Sequence, residues 1–242
     1  MNKKITIAHL FPDLLNLYGD RGNIITLKRR AEARGIECEV IEYELDGNID
    51  LKETDIVFIG GGSDREQQIV CNRLREIKDQ IKEYVEDNGV LLAVCGGYQL
   101  LGKYYKLENE TIPGLELLDI YTEQKQGRLI GNIVLDSAFA NSTVVGFENH
   151  GGRTYINNHT PFGRVLYGNG NNGDGYEGVV YKNVIGTYLH GPLLPKNPKL
   201  ADKIIKNAVL RRYPDNLDFS LCEIDDTIEN EAHNYITDRF VK

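Results

Sequence analysis

VLLAVCGGYQLLG, residues 90–102, is the stretch whose reading decides the fold. Its first five residues are a continuous apolar run, the pattern of a parallel strand covered on both faces. The run passes straight into Cys95, Gly96 and Gly97 and then into a new helical pattern. A strand that turns at once into a helix pushes the side chain at the joint out over the sheet edge, while the N–H groups that follow point at the same spot. Such a turn needs small neighbours, and Ala93 and Gly97 stand two residues to either side of Cys95. The pattern A-x-C-x-G is close to the G-x-nucleophile-x-G of nucleophile elbows. A thiol at a helix start also feels the positive end of the helix dipole, so its pKa is expected to be lowered. The competing reading is that Cys95 is a small buried hydrophobe, as many free cysteines are.

Upstream, the chain alternates strand and helix. KKITIAHL reads as a strand, residues 22–34 as a helix, ECEVIEY as a strand, and DIVFIG as a third strand that runs into Gly60, Gly61 and Gly62. Ser63 stands three residues before Glu66, a capping-box pattern, and Val70, Leu74, Ile77, Ile81 and Val85 then continue one helical stripe. This rhythm implies βαβ units in an open parallel sheet, whose ligand crevice lies at the carboxyl ends of its strands. Both the triple glycine and Cys95 fall at such ends.

Downstream, from about residue 115 to 190, short strands and turns follow: LIGNIVL, STVVGFEN, GRVLYG, EGVVYKN and VIGTYLHG. GNGNNGDG at 168–175 reads as a flexible surface hairpin rather than a binding site. Asn197 before Pro198 is a helix start, with Leu200, Ile204 and Ala208 as the buried face. With no repeat and no linker, the expectation is one α/β domain over residues 1–242, flavodoxin-like, with a mixed and mostly parallel sheet flanked by helices, antiparallel additions in its second half and a helical extension from about 197 to 242.

Composition narrows the function. The formal net charge of −8 and the lack of a basic stripe argue against a nucleic-acid-coating protein. ITIAHLF near the N-terminus is too short for a membrane span and is stopped by Pro12, so a cytoplasmic protein is expected. Cys38, Cys71, Cys95 and Cys222 are scattered, with no CxxC pair and no histidine at ligand spacing, so neither a metal site nor a disulfide framework is expected.

A cysteine nucleophile needs a base, usually a histidine. Among five histidines, His190 in VIGTYLHGP follows an apolar strand and precedes Gly191 and Pro192, which puts it at a strand end where loops gather. His9 reads as buried in the first strand, and His159 and His233 lie in polar context. His150, in GFENHGGRTY, stays in competition.

VCGGYQLLG, GFENHGGRTY and GTYLHGP, in this order, resemble the cobyric acid synthase/cobyrinate diamide synthase branch of the class I glutamine amidotransferases. LNLYGDRGNI and FIGGGSDREQ extend the likeness to the stand-alone GatD-type glutaminases, which work with the Mur-ligase-like MurT in lipid II isoglutaminyl synthase. The resemblance implies that Cys95 attacks the side-chain amide of L-glutamine to give a γ-glutamyl thioester and that His190 takes the thiol proton. It implies an oxyanion site made by the N–H of Gly61 or Gly62 with that of Gly96, where the glycine run alone also suits a phosphate cradle. It places Arg128, in KQGRLIGN, on the glutamine α-carboxylate, with Arg65, Arg153 or a plain surface arginine as alternatives.

Glu148 and His150 resemble the branch's E-x-H signature and read equally well as a buried brace. The chain departs from many class I members in having Leu193 and Leu194, not an acid, shortly after the His190-Gly191-Pro192 turn. No cofactor is implied. With no P-loop in the sequence, ATP chemistry is assigned to a MurT-like ligase partner that uses the delivered ammonia to turn D-glutamate of lipid II into D-isoglutamine. The alternatives are the glutaminase part of cobyric acid or cobyrinate amidation, a DJ-1-like cysteine-elbow hydrolase, or a silent subunit that keeps the fold.

Overall fold

The structure, a computed structural model, describes residues 3–17 and 19–241. In the first half, strands β1 (Lys4–Leu10), β2 (Glu37–Tyr43), β3 (Ile56–Ile59) and β4 (Val90–Val94) alternate with helices α1 (Arg21–Glu32), α2 (Asp64–Glu76) and α3 (Lys78–Glu86), and β4 leads into the short α4 (Gly96–Leu100). Every residue of β3 and β4 is buried, which is why both read as unbroken apolar runs. The capping box at Ser63 forms as the sequence implied. The single stripe expected through residue 85 is instead two helices, because Ile77 leaves helical geometry at φ −110°, ψ 16° and starts α3 in a new direction.

The second half contributes β5 (Tyr104–Lys106), β6 (Thr111–Pro113), β7 (Tyr121–Ser137), β8 (Ser142–Tyr155), β9 (Gly163–Tyr167), β10 (Tyr176–Glu177), β11 (Val179–Tyr181) and β12 (Val184–Thr187), then α5 (Pro198–Arg212) and α6 (Thr227–Phe240). These strands do not all join the first sheet. One six-stranded sheet has the order β11-β12-β4-β3-β1-β2, parallel except for β11. The second sheet runs β10-β9-β7-β5-β6, with β8 also paired to β7. Antiparallel additions were expected on a single sheet; only β11 is one, and the others build a sheet of their own around the long β7–β8 hairpin.

The core lies between the parallel sheet and its helices and runs on into the second sheet through Tyr105, Ile112, Ile133, Leu135 and Val144. On one side α5 buries Leu200, Ala201, Ile204, Ile205, Ala208 and Val209 against β1 and β4, each contributing up to about 1.5–3 kcal/mol for the larger side chains. Arg30, at 5% exposure, ties this layer together by binding Asp202 of α5 at 2.8 Å and Asp226 at the start of α6 at 2.9 Å. Helix α6 buries none of its residues. No helix among the described residues is long and apolar enough to cross a membrane.

Candidate active site

Cys95 sits where β4 becomes α4, with φ 52° and ψ −108°. A non-glycine residue in that conformation carries strain of about 1–3 kcal/mol, so the surroundings must hold it there. They do so through backbone: Cys95 N–H donates to Thr187 O of β12 at 2.8 Å, and Gly97 N–H donates to Gly60 O at 3.1 Å. Gly97 has to be glycine, since a Cβ there would stand 2.6 Å from Ile59 O. The elbow expected from A-x-C-x-G is therefore present, and Cys95 is 8% exposed.

The expected lowering of the thiol pKa is not. Burial pushes Cys95 up to about 12, with the Asp20 carboxylate as the next cause, against a Gly96 N–H that hydrogen-bonds the sulfur and the more distant Arg128. A helix of five residues has too few aligned peptides to outweigh desolvation of the charged form.

The Gly60–Gly62 run lies against the back of Cys95. A Cβ on Gly61 would come within 3.0 Å of Cys95 Cβ, and one on Gly60 would overlap Leu15 O. Of the two glycines expected to offer an oxyanion donor, Gly61 is already committed: its N–H donates to Asp20 Oδ2 at 2.8 Å. Gly62, the other glycine expected there, lines the cavity beside Cys95.

The cavity has a volume of about 280 Å³ and joins the two sheets. Cys95, Gln99, Gly62 and Asp64 come from the parallel sheet's side; Arg128, Asn149 and His150 come from the β7–β8 hairpin. The pairing of β7 with β8 breaks between Gln124 and Leu129, and Arg128 sits in that interruption. Its Nε donates to Asn149 Oδ1 and its Nη2 to Asn149 O, both at 2.9 Å. Since a guanidinium carries five N–H donors, Nη1 and one Nη2 hydrogen stay available to an anion. The other two arginines considered do not line the cavity. Arg65 is exposed on α2, and Arg153 donates to the carbonyls of Gly127, Gly151 and Gly152 and so braces the hairpin.

His190 follows β12, the strand hydrogen-bonded beside β4, so the histidine and the nucleophile leave neighbouring strand ends. It is 2% exposed and does not itself line the open cavity; its backbone exchanges hydrogen bonds with Phe147 of β8 at 3.0 and 3.3 Å. Burial, then the nearby His150 and Arg128, lower its pKa to about 4. A neutral imidazole is the form that accepts a proton.

His150 lines the cavity but is held as a brace. Its Nδ1–H donates to Gly152 O at 2.8 Å, its Nε2 faces Glu148 Oε2 at 3.6 Å, and its ring stacks on Tyr188 with centroids 3.6 Å apart. Glu148 is in turn occupied by Asn169 N–H and Nδ2 at 2.8 Å and Gly170 N–H at 2.9 Å. The GNGNNGDG turn is thus no loose hairpin: it folds back to satisfy a buried carboxylate, and Asn171 inside it is fully buried against Tyr98. His9 is buried in β1, His159 accepts from Asp119 N–H at 3.0 Å, and His233 binds Thr143 and Lys196 O, all apart from the cavity.

Sequence reasoning missed Asp20, Asp64 and Gln99. Gln99 follows Cys95 by one helical turn, and that spacing was the available signal; its Nε2 donates to Tyr188 OH at 3.1 Å. Asp20 gave no such signal, because an acid before a helix reads as an ordinary N-cap.

Comparison with known proteins agrees with this geometry. Residues 6–198 match the CobB/CobQ-like glutamine amidotransferase domain. The GatD subunit of lipid II isoglutaminyl synthase (glutamine-hydrolysing) from Staphylococcus aureus N315 is 48% identical over 98% of this chain and 96% of its own, and that from Streptococcus pneumoniae R6 is 41% identical over 97% and 91%. Cobyric acid synthase from Clostridium botulinum Langeland is 33% identical over 59% of this chain and 31% of its own. The crystal structure of a Thermotoga maritima glutamine amidotransferase shares the fold, with a TM-score of 0.55 at 16% identity over 97% of this chain and 94% of that one. A motif set read from residues, an elbow cysteine held in strained geometry and near full-length likeness to two GatD subunits lead to one conclusion: the chain belongs to the CobB/CobQ-like glutamine amidotransferase family, on its GatD branch.

Proposed function

We propose that this chain is the glutamine-hydrolysing subunit of a lipid II isoglutaminyl synthase. The observation that carries the reading is the strained Cys95 elbow opening on a cavity that also holds Arg128. L-Glutamine lies with its α-carboxylate on the open donors of Arg128 and its side-chain amide at Cys95. His190, neutral at rest, takes the thiol proton as sulfur attacks the amide carbon, and Gly62 and Gly96 N–H groups receive the charge that develops on oxygen. The proton then passes to the leaving nitrogen; ammonia departs and the γ-glutamyl thioester remains. Water opens the thioester to give glutamate and restores the thiol.

The partner in this reading is a MurT-like, Mur-ligase-type ATP-dependent subunit. It uses the ammonia to amidate the D-glutamate α-carboxylate of lipid II, and its need for ATP places the pair in the cytoplasm. The relatives' names, each a subunit, support the division of labour. Glutamine turnover read by ammonia release tests the reading, together with a diazo-ketone analogue of glutamine. Cys95 is expected to be modified while Cys38, Cys71 and Cys222 are spared, and Cys95→Ser is expected to abolish turnover with an unchanged melting temperature. Label spread evenly over the four thiols, or turnover in Cys95→Ser, would refute it.

A further inference from the structure

We propose that Asp20 is a positioning residue for the nucleophile site: by taking the N–H of Gly61 it aims the N–H of Gly62 at the cavity and fixes the glycine run against the back of Cys95. The proposal rests on the glutamine-hydrolysing reading above and adds a residue to it.

Asp20 precedes α1 at the N-cap position, where an aspartate ordinarily accepts from its own helix. Here it caps nothing. The Arg21 N–H goes to Asn16 Oδ1 at 3.0 Å, and the Asp20 carboxyl turns inward, fully buried, to accept from Gly61 N–H at 2.8 Å. Its other oxygen, Oδ1, has no hydrogen-bond partner among the described residues. A buried carboxyl with one partner is destabilising where a solvated cap was within reach, so fold economy does not account for it.

What lies across the glycine accounts for it. A Cβ on Gly61 would be 3.6 Å from Asp20 Oδ2 and 3.0 Å from Cys95 Cβ, so the Gly61 peptide touches both the carboxyl and the elbow residue. With the Gly61 N–H held by Asp20, the next peptide, that of Gly62, belongs to a residue that lines the cavity, and in the proposal its N–H is assigned to the substrate side. Gly60 adds rigidity, since a Cβ there would meet Asp20 Oδ2 at 3.1 Å and overlap Leu15 O.

The charge of Asp20 has a separate effect. The titratable groups around Cys95 among the described residues are Asp20 itself, Asp64 of α2, Tyr105 of β5, Arg128 of β7, Glu148 and His150 of β8, and Tyr188 and His190 after β12. Of these, Asp20 is the leading contributor that holds the sulfur in the thiol form, and burial raises its own pKa to about 6.

Two substitutions separate the hydrogen bond from the charge in the full chain. Asp20→Asn keeps a carbonyl oxygen for Gly61 and removes the charge, while Asp20→Ala removes both. Loss of an aligned oxyanion donor lowers turnover on the order of 10²-fold. Asp20→Ala is therefore expected to lower kcat for glutamine at least about tenfold with KM within about twofold, and Asp20→Asn to recover kcat to within about threefold of the parent. Alkylation of Cys95 by iodoacetamide at fixed pH is expected to run faster in Asp20→Asn than in the parent. Parental kcat in Asp20→Ala, or kcat in a folded Asp20→Asn as low as in Asp20→Ala, overturns the proposal, as does an unchanged alkylation rate in Asp20→Asn. If the alanine variant does not fold, the asparagine variant decides alone through kcat and alkylation. If the parent itself releases no ammonia from glutamine, the hydrolase reading fails, and the alkylation comparison still decides whether Asp20 acts on Cys95.

Discussion

Where β4 ends, the backbone is closed in on both sides; where β7 carries Arg128, its strand pairing is interrupted. Cys95 is wedged between Thr187 on one side and a glycine run that admits no Cβ on the other. Arg128 stands in a gap in strand pairing, exposed, and its guanidinium is hydrogen-bonded by Asn149. The two sheets thus divide the work. In the proposed function the parallel sheet holds the atom that forms a bond, where an error of an ångström is ruinous. In the same proposal the antiparallel hairpin holds the group that grips a charged substrate end, where some adjustment is tolerable. Substitutions on the two sides should fail in different ways.

The largest effect is expected on the rigid side. His190→Ala should lower glutamine turnover about 10²–10⁴-fold, as removal of a general base does, with His159→Ala nearly silent. Steady-state ammonia release measures both. A severe loss in His150→Ala beside a mild one in His190→Ala would exchange the roles of brace and base.

On the hairpin, Arg128→Ala should raise KM for glutamine about tenfold or more with a smaller change in kcat, because an α-carboxylate clamp acts on ground and transition states alike. Arg128→Lys should recover only part, offering a point charge for a planar fork. A fall in kcat with KM unchanged would move Arg128 to the chemical side of the comparison.

Stability sharpens the contrast. Gly97→Ala drives a Cβ to 2.6 Å from Ile59 O and 2.8 Å from Gly60 O, and is expected to destabilise by about 1–3 kcal/mol in urea unfolding. Gly151→Ala, whose Cβ would meet only Arg128 Nη1 at 3.8 Å, should stay within about 0.5 kcal/mol of the parent. Equal losses at the two sites would show the hairpin to be as rigid as the elbow.

The smallest effect concerns the joint between the sheets. Glu177 of β10, in the second sheet, accepts from Thr187 Oγ1 at 2.9 Å and Tyr188 N–H at 2.7 Å, at the end of β12 in the first. Burial raises its pKa to about 8 against those hydrogen bonds. The folded value lies above the unfolded one, so this stabilisation is full below about pH 4.5, declines above it and is lost as pH rises through 8. Glu177→Gln should flatten the fall in melting temperature between pH 6 and 9; an unchanged slope would mean the group titrates normally.

Much of the rigid side was legible in the sequence, because its constraints are local. A buried strand, a small residue on either side of the nucleophile and a capping box each leave a pattern in a few adjacent residues, and VLLAVCGG, GGGS and Ser63–Glu66 all folded as read. The second sheet was read strand by strand but not as a sheet, since alternation gives a strand its two faces and not its partner. Glu148's saturation by Asn169 and Gly170 depends on residues brought together only by folding, as does Asp20's turn toward Gly61. The pKa of Cys95 was misread because a dipole can be inferred from a helix start, whereas depth of burial cannot.

The place of β12 in the sheet has a consequence in time. Strand β4 is made early, yet the neighbour that completes its outer edge arrives only at Val184–Thr187, followed directly by His190. A nascent chain that has emerged as far as residue 183 carries its nucleophile strand as an open edge, with five apolar residues and half its hydrogen bonds unmade. Pairing of β12 closes that edge and delivers the histidine in one event. A chain cut short before β12 therefore lacks both the cover of its nucleophile strand and the histidine proposed as its base.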